Sequence, residues 1–399
     1  MASFNPRKFS DPGWLKAIAP DRLRAFLTPW SGYLAQRGFL FPESPTQPID
    51  YDALARIMFT PTHETPIAMV DALHYVHEIA RLQDMEELIA EAQAQGLAID
   101  GDPLATPADL AIDVWRVAPD LVRDRHAESV ALRQQSFEYF GPAQPLPGPL
   151  PPLDDARCAQ IEAYLDDWFE THRRGRGCRL YVFRHPGKAW ILIRHSETMR
   201  REPSQRDDGG AGTEFYRPQR HDVLLYDESS GEIGVHAKTK GERKLYLRAL
   251  GHYLFGSEGH FPATGRFSLD PLVVLGREAL NVEDVDGVSA IRLVECQRYW
   301  GGAFREIQIL KADDVFGALA ARGGADLSGG RLIRATFKVT FDGAAKPRAL
   351  TIWPPGVARL DRTEDSDLLE HWMRERGFIV TGQGVEDDDT ATAVLESAG

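Results

Sequence analysis

The chain has few cysteines and no apolar run of membrane-spanning length. Cys158, Cys178 and Cys296 are isolated in the sequence and show no C-x-x-C spacing. Such thiols fit a reducing compartment and exclude a disulfide framework or a zinc finger. A membrane helix needs roughly 20 consecutive apolar residues, and the opening MASFNPRKFSDPGW lacks the apolar core of a secretion signal. We therefore expect a cytoplasmic protein of bacterial type with no membrane partner.

Common catalytic and cofactor motifs are also missing. The sequence has no G-x-x-x-x-G-K-[ST], no G-x-G-x-x-G after a strand and no G-x-S-x-G. His74 and His77 stand in the order H-Y-V-H-E, whereas zinc-protease helices need H-E-x-x-H or H-x-x-E-H. The histidines between His172 and His260 show no paired ligand spacing. We therefore expect no cofactor and no metal, and we assign no catalytic residue.

Positive charge is scarce overall but concentrated in one region. The net charge of −13 disfavours general binding of polyanions. Between Glu170 and Leu250, however, the chain has 17 Lys and Arg and 11 Asp and Glu, an excess of six positive charges. The rest of the chain therefore carries a net charge of −19. This asymmetry indicates a face for an acidic partner, although solvated loops would give the same count.

The first part of the chain is predicted to be helical. TPIAMVDALHYVHEIARLQDMEELIAEAQAQG has apolar residues at three- and four-residue steps, and TPADLAIDVWRVAP follows the same pattern with Thr106 as a cap and Pro107 at the first position. We predict a helical bundle over residues 1–140. A segment with six prolines in thirteen positions, residues 141–153, is predicted to be a stiff linker.

Residues 154–382 are predicted to form an α+β body, which could divide into subdomains 154–262 and 263–382. RLYVFR and AWILIRH flank HPGK, and DVLLYD and EIGVHAK flank ESSG, so each pair predicts a hairpin. Residues 199–219 between the hairpins are polar and Gly-rich and are predicted to be a loop. Residues 383–399 are predicted to be a disordered acidic tail. The fold class is thus α+β, with an N-terminal all-helical bundle followed by a mixed, largely antiparallel sheet body with packed helices.

The candidate binding region lies where the strand EIGVHAK meets the next helix. In a strand, His236 and Lys238 share the face opposite Ile233 and Val235. Backbone N–H groups at the helix start favour anions. Together with the basic runs HRRGRGCR and MRREPSQR, these positions give the candidate nucleic-acid-binding residues Arg173, Arg174, Arg176, Arg200, Arg201, His236, Lys238, Lys240, Arg243 and Lys244. Aromatic residues that could stack bases are Tyr181, Phe183, Trp190, Phe215 and Tyr216, although aromatic residues at strand spacing are more often core.

We expect a cytoplasmic accessory subunit that binds DNA, RNA or another phosphate-rich partner through this region, and a protein partner through the helical N-terminal domain. One alternative is an atypical metal-dependent nuclease or a phosphoesterase. Asp227, Glu232 and Lys238 resemble the layout of restriction-like nucleases, but Glu232 and Lys238 are six residues apart where two are needed. A further alternative is a scaffold subunit that contacts protein only.

Overall fold

The computed structural model describes residues 9–380 except 45–46, 81, 98, 100–104, 145–146, 263–264, 325 and 361–365. The predicted tail at residues 383–399 lies outside this part of the chain. The chain divides into two compact units, the first comprising Met1–Val130 with Arg200–Tyr216 and the second Ala131–Met199 with Arg217–Gly399.

The helices and strands follow in chain order. The helices are α1 (Pro12–Ala17), α2 (Pro20–Leu27), α3 (Ser31–Gln36), α4 (Tyr51–Phe59), α5 (Ile67–Ile79), α6 (Leu82–Ala94), α7 (Pro107–Val117), α8 (Pro119–Leu132), α9 (Asp155–Thr171), α10 (Lys240–Phe255), α11 (Asp270–Val274), α12 (Val315–Ala321) and α13 (Ser366–Glu375). The strands are β1 (Ser136–Phe140), β2 (Arg179–His185), β3 (Lys188–Ser196), β4 (Arg200–Gln205), β5 (Ala211–Tyr216), β6 (Gln219–Asp227), β7 (Ile233–His236), β8 (Val288–Gly301), β9 (Glu306–Lys311), β10 (Arg331–Phe341), β11 (Arg348–Trp353) and β12 (Val357–Arg359). Short 3-10 helices span Thr28–Trp30 and Gly276–Leu280.

The first unit is built from short helices around one apolar core. Leu23, Leu54, Val76 and Ile112, from four different helices, are buried there. The predicted start of α7 is confirmed, because Thr106 accepts a hydrogen bond from the Asp109 backbone N–H and Asp109 returns one to Thr106. This reciprocal cap satisfies backbone donors that a helix start leaves unpaired.

The predicted loop at residues 199–219 is wrong, because β4 and β5 form an antiparallel hairpin there. Contact clustering assigns this hairpin to the first unit. Asp207 in its turn accepts hydrogen bonds from the ring and the backbone N–H of His63. Gly209 follows in the turn with φ of 82°, a conformation that glycine adopts without strain.

The second unit is organised by one ten-stranded sheet. Its strand order is β2-β3-β6-β7-β1-β12-β11-β10-β8-β9, and every pairing between these strands is antiparallel. The predicted α+β class, with helices preceding a largely antiparallel sheet, is confirmed. The two predicted hairpins are present as β2–β3 and β6–β7.

The structure divides the chain earlier than the prediction placed the boundary. β1, at the end of the predicted bundle, pairs with both β7 and β12 inside the sheet. The Pro-rich segment belongs to the second unit, where Gly148 N–H donates to the Glu228 carbonyl at 2.8 Å and Leu150 is 2% exposed. The single sheet runs through both of the predicted subdomains, 154–262 and 263–382.

Two antiparallel helices, α9 and α10, cover one face of β3, β6 and β7. Leu165 and Phe169 of α9 and Leu250 of α10 are buried with Ile191 and Leu224 of the sheet. Burial of side chains of this size typically stabilises a fold by about 1.5–3 kcal/mol each. The inner face of α10 is therefore packed against the sheet, and this packing holds the helix in place.

Within the described residues, no helix has both the length and the apolar character that a membrane crossing requires.

Candidate nucleic-acid interface

Capping residues fix both ends of helix α10. Thr239 accepts a hydrogen bond from the Glu242 backbone N–H at 3.2 Å, and Glu242 Oε2 accepts one from the Thr239 N–H at 2.7 Å. At the other end, Gly256 adopts the left-handed conformation with φ of 73°. These caps fix the register of the helix and therefore decide which side chains face outwards.

A row of basic side chains runs along the exposed surface of α10. Lys240, Lys244, Arg248 and His252 follow one another at four-residue intervals, and all four are exposed. We call this set the α10 basic stripe. Each step advances about 6 Å along the axis and turns about 40°, so the stripe is about 18 Å long. None of the four side chains forms a hydrogen bond or an ion pair with a described residue.

The opposite side of α10 is anchored by a buried carboxylate. Glu242 is fully buried and its Oε1 accepts a hydrogen bond from Arg174 Nη1. The Arg174 guanidinium also lies 5.8 Å from the Trp168 ring centre and 5.6 Å from that of Phe169. Arg174 therefore joins the end of α9 to the start of α10.

A second buried carboxylate anchors the middle of α10 to the sheet. Asp222 of β6 is fully buried. Its Oδ2 accepts from the Tyr246 hydroxyl at 2.7 Å and contacts His195 Nε2 at 3.0 Å. Its Oδ1 accepts from Arg220 Nε at 3.2 Å. Three elements, β3, β6 and α10, thus meet at one carboxylate.

The protonation of this network follows from its contacts. Burial by itself would raise the pKa of Asp222, but hydrogen bonds from His195 and Tyr246 and the charge of Arg220 outweigh it, so the pKa is lowered. Burial, followed by the nearby Asp222, raises the pKa of Tyr246 well above its ordinary value. His195 Nδ1 lies 3.1 Å from the Ser196 carbonyl, so both ring nitrogens are in contact with oxygen atoms. Asp222 is therefore an ionised, fully hydrogen-bonded anchor.

His195, Asp222 and Glu242 also have the composition of a metal-ligand set, with ligand atoms within 4.8 Å of one another. The atoms that would face an ion are already engaged. Asp222 Oδ2 accepts from Tyr246, and Glu242 Oε1 accepts from Arg174. Two guanidinium groups beside the carboxylates supply the balancing positive charge. We therefore interpret the cluster as a structural network that positions α10, in preference to a metal centre.

Four of the predicted binding residues of the second unit are exposed and form no ion pair with a described residue. Lys238, Lys240 and Lys244 lie at or near the start of α10, and Arg173 follows the end of α9 with φ of 63°. The three lysines form no ion pair with a described residue. This part of the predicted set is available to a ligand.

Four other predicted residues are engaged within the second unit. Arg174 binds Glu242, and Arg176 binds Asp167 and Glu170 at 2.7 and 3.0 Å. Arg243 Nε lies 2.7 Å from Glu138 Oε2, and His236 Nδ1 lies 2.9 Å from the Ser136 carbonyl. The charges of Arg174, Arg176 and Arg243 are thus paired within the second unit, and the His236 ring is held by a backbone carbonyl.

Arg200 and Arg201 belong to the first unit. They lie on β4, opposite Tyr216 and Phe215 of β5, and Arg201 Nη2 donates to Thr213 Oγ1 at 3.1 Å. The region from Glu170 to Leu250, whose positive charge indicated a face for an acidic partner, therefore belongs to two separately organised units.

Among the aromatic residues proposed to stack bases, Trp190 is only 5% exposed and packs against Phe137 with ring centres 5.9 Å apart. Phe215 and Tyr216 are exposed on the β4–β5 hairpin. Beside the α10 basic stripe lie two other aromatic groups: His172, exposed and stacked on Trp168 at 3.7 Å, and Tyr164, which meets Tyr253 at 5.9 Å.

Asp227 and Glu232, the acidic residues of the nuclease-like alternative, both contact neighbouring side chains. Asp227 Oδ1 accepts from the Ser229 hydroxyl at 2.6 Å in the β6–β7 turn. Glu232 Oε2 lies 3.2 Å from Arg266 Nη2. Neither carboxylate belongs to the three-ligand cluster found among the described residues.

Arg248 and His252 were missed in the sequence analysis. They continue the four-residue repeat of Lys240 and Lys244 on a helix that was predicted correctly in outline. Helical periodicity applied to basic residues as well as apolar ones would have found them.

The chain matches no protein-family model, and comparison with curated proteins finds no significant match.

Proposed function

We propose that the protein is a cytoplasmic accessory subunit that binds nucleic acid along the α10 basic stripe. The observation that carries this proposal is the row of four exposed basic side chains, unpaired with any described residue, on a helix whose other side is fixed by buried carboxylates. The cations Lys240, Lys244 and Arg248, set along one fixed helix, suit a polyanion because each phosphate contact releases condensed counterions.

The length of the stripe supports a polynucleotide ligand. Phosphates follow at about 3.4 Å of axial rise per strand, so a stripe of about 18 Å spans about five of them. Lys238 and Arg173 flank its N-terminal end and are exposed. Near the other end, burial raises the pKa of Tyr164, the charge of Glu258 adds to this rise and that of Arg248 opposes it, so the carboxylate of Glu258 lies in the surroundings of Arg248. The N-terminal half of the α10 basic stripe therefore attracts a phosphate more strongly than the C-terminal half does.

The proposed protein partner binds the helical first unit. Leu40, Phe59 and Ile67 are 77%, 74% and 78% exposed there. Exposed apolar side chains support a protein contact where they form one contiguous patch. Co-purification from the native host with and without nuclease treatment separates protein companions from nucleic acid.

The binding test is fluorescence anisotropy with labelled single-stranded and duplex DNA and with RNA at low salt. The double variant Lys240→Glu, Lys244→Glu should lose at least about thirtyfold in affinity, taking about 1 kcal/mol for each lost contact. The variant Lys338→Glu, Lys346→Glu carries the same charge change at exposed sites on β10 and the β10–β11 turn. It should bind like the wild type.

Absence of binding by the wild type to all three probes would refute the proposal. Equal losses in the two double variants would show that net charge, and not the stripe, governs binding. Incubation of the same probes with Mg²⁺ or Mn²⁺ detects strand cleavage, which would favour the nuclease or phosphoesterase alternative.

A further inference from the structure

The end of α9 carries a pair of stacked rings. The Trp168 and His172 rings lie one helical turn apart, with their centres 3.7 Å apart and their planes inclined by 21°. His172 Nδ1 also lies 2.8 Å from the Trp168 carbonyl oxygen, so two contacts hold the imidazole in one orientation. His172 is exposed, and because Trp168 covers one face of its ring, the solvent meets the other face. We call this pair the stacking platform.

The stacking platform lies against the first turn of α10. A Cβ at Gly241 would lie 3.3 Å from Trp168 Cζ2, so the lack of a side chain at this position lets the indole approach the helix closely. Gly241 directly follows Lys240, the first residue of the α10 basic stripe. The exposed ring and the row of cations therefore meet at one end of the helix pair.

Two arginines lie next to the stacking platform. Arg173 follows the platform directly in the chain, and Arg217 Nη1 donates to the Arg173 carbonyl at 2.7 Å. Both side chains are exposed, and neither forms an ion pair with a described residue. Two carboxylates at this end of α9, those of Asp167 and Glu170, are already bound by Arg176 at 2.7 and 3.0 Å. Uncompensated positive charge therefore lies beside an exposed ring.

We propose that the α10 basic stripe binds a single strand of DNA or RNA with one base stacked on His172, an inference that rests on the proposed function. A base in a duplex is already stacked between its neighbours, so it is not free to cover a ring outside the duplex. An unpaired base, in contrast, presents a free face to an aromatic side chain. Every base has such a face, so the contact tolerates any sequence.

The charges fit the same nucleotide. A strand that places one base on the stacking platform carries a phosphate on each side of that nucleotide. Lys240 begins the row of cations on α10, and Arg173 and Arg217 lie at the end of α9. The cations can therefore hold the backbone while the ring holds the base. Proteins that bind single strands without sequence preference combine these two contacts.

Fluorescence anisotropy with three end-labelled probes of equal length tests the proposal. The probes are oligothymidylate, the same backbone with an abasic residue in place of every thymidine, and a duplex. The abasic strand keeps the phosphates and lacks the bases. The wild type should bind oligothymidylate about five- to 150-fold more tightly than the abasic strand, the equivalent of about 1–3 kcal/mol for one stacked base. His172→Ala should bind both strands alike and keep the wild-type affinity for the duplex.

Two further variants serve as controls. His172→Phe restores a flat ring without the imidazole, so it should recover the preference for oligothymidylate over the abasic strand. His371→Ala removes an exposed histidine from α13, and it should bind all three probes like the wild type.

Equal affinity of the wild type for oligothymidylate and the abasic strand would overturn the inference. A preference that survives in His172→Ala, or that is absent in His172→Phe, would overturn it as well. The abasic strand tests the proposed function separately, because its binding depends on the phosphates alone. If the wild type binds this strand and Lys240→Glu, Lys244→Glu does not, the proposed function stands even where the stacking fails. No binding of any probe by the wild type would refute both.

Discussion

The buried carboxylate Asp222 gives the sharpest prediction about stability. In Asp222→Asn the side chain keeps its shape, but the carboxamide can no longer accept from His195, Tyr246 and Arg220 together, because one of its two polar atoms is now a donor. The charge that balances Arg220 is also lost. Breaking a fully buried pair by removing one partner costs about 3–5 kcal/mol, so we expect a loss of that size. Tyr246→Phe removes one hydrogen bond to a charged acceptor and should cost about 1.5–3 kcal/mol.

Urea denaturation followed by circular dichroism and tryptophan fluorescence measures these losses. Asp167→Asn is the matched control, since it makes the same chemical change at a side chain 74% exposed and paired with Arg176, and it should cost about 0–1 kcal/mol. A loss below about 1 kcal/mol in Asp222→Asn, or one equal to the control, would refute the view that this network anchors α10.

Two further predictions concern pH and packing. Because the pKa of Asp222 lies below its ordinary value of 3.8 in the folded protein, its stabilising effect is present above that value and is lost as pH falls through the lowered pKa. The stability difference between wild type and Asp222→Asn, measured by urea midpoints from neutral to acid pH, should narrow in this window, and a constant difference would contradict it. Gly251→Ala should destabilise by several kcal/mol, since a Cβ there would lie 2.4 Å from the Ser257 carbonyl oxygen. Gly32 is a helical position with no atom within 4 Å of such a Cβ, so Gly32→Ala should be neutral or stabilise by up to about 1 kcal/mol. Thermal melting measures both variants. Similar shifts of the melting temperature in the two would argue against the packing described for α10.

The elements with clear apolar periodicity were predicted well. The β2–β3 hairpin follows from alternating apolar residues around Pro186 and Gly187, and α7 follows from Thr106 and Pro107. The β4–β5 hairpin was missed because it has no apolar face, so its pairing leaves no hydrophobic period in the sequence. The short strand β1 was assigned to the bundle because its partners, β7 and β12, are distant in the chain.

The candidate binding residues could likewise be predicted only in part. Lys240 and Lys244 could be placed on an exposed helix start because the local signals were strong. The engagement of Arg174 and Arg243 could not be predicted, since Glu242 and Glu138 reach them only through tertiary packing. The same holds for His195 and Asp222, which meet across β3 and β6 although 27 positions apart in the sequence.

The salt dependence of nucleic-acid binding tests the central claim most directly. Three phosphate contacts, made by Lys240, Lys244 and Arg248 of the α10 basic stripe, predict a slope of log affinity against log salt of about −2.7 for duplex DNA and about −2.1 for a single strand. Lys240→Glu, Lys244→Glu should make the slope shallower by about two, while Lys338→Glu, Lys346→Glu leaves it unchanged. A slope near zero for the wild type, or the same slope in both double variants, would contradict the account.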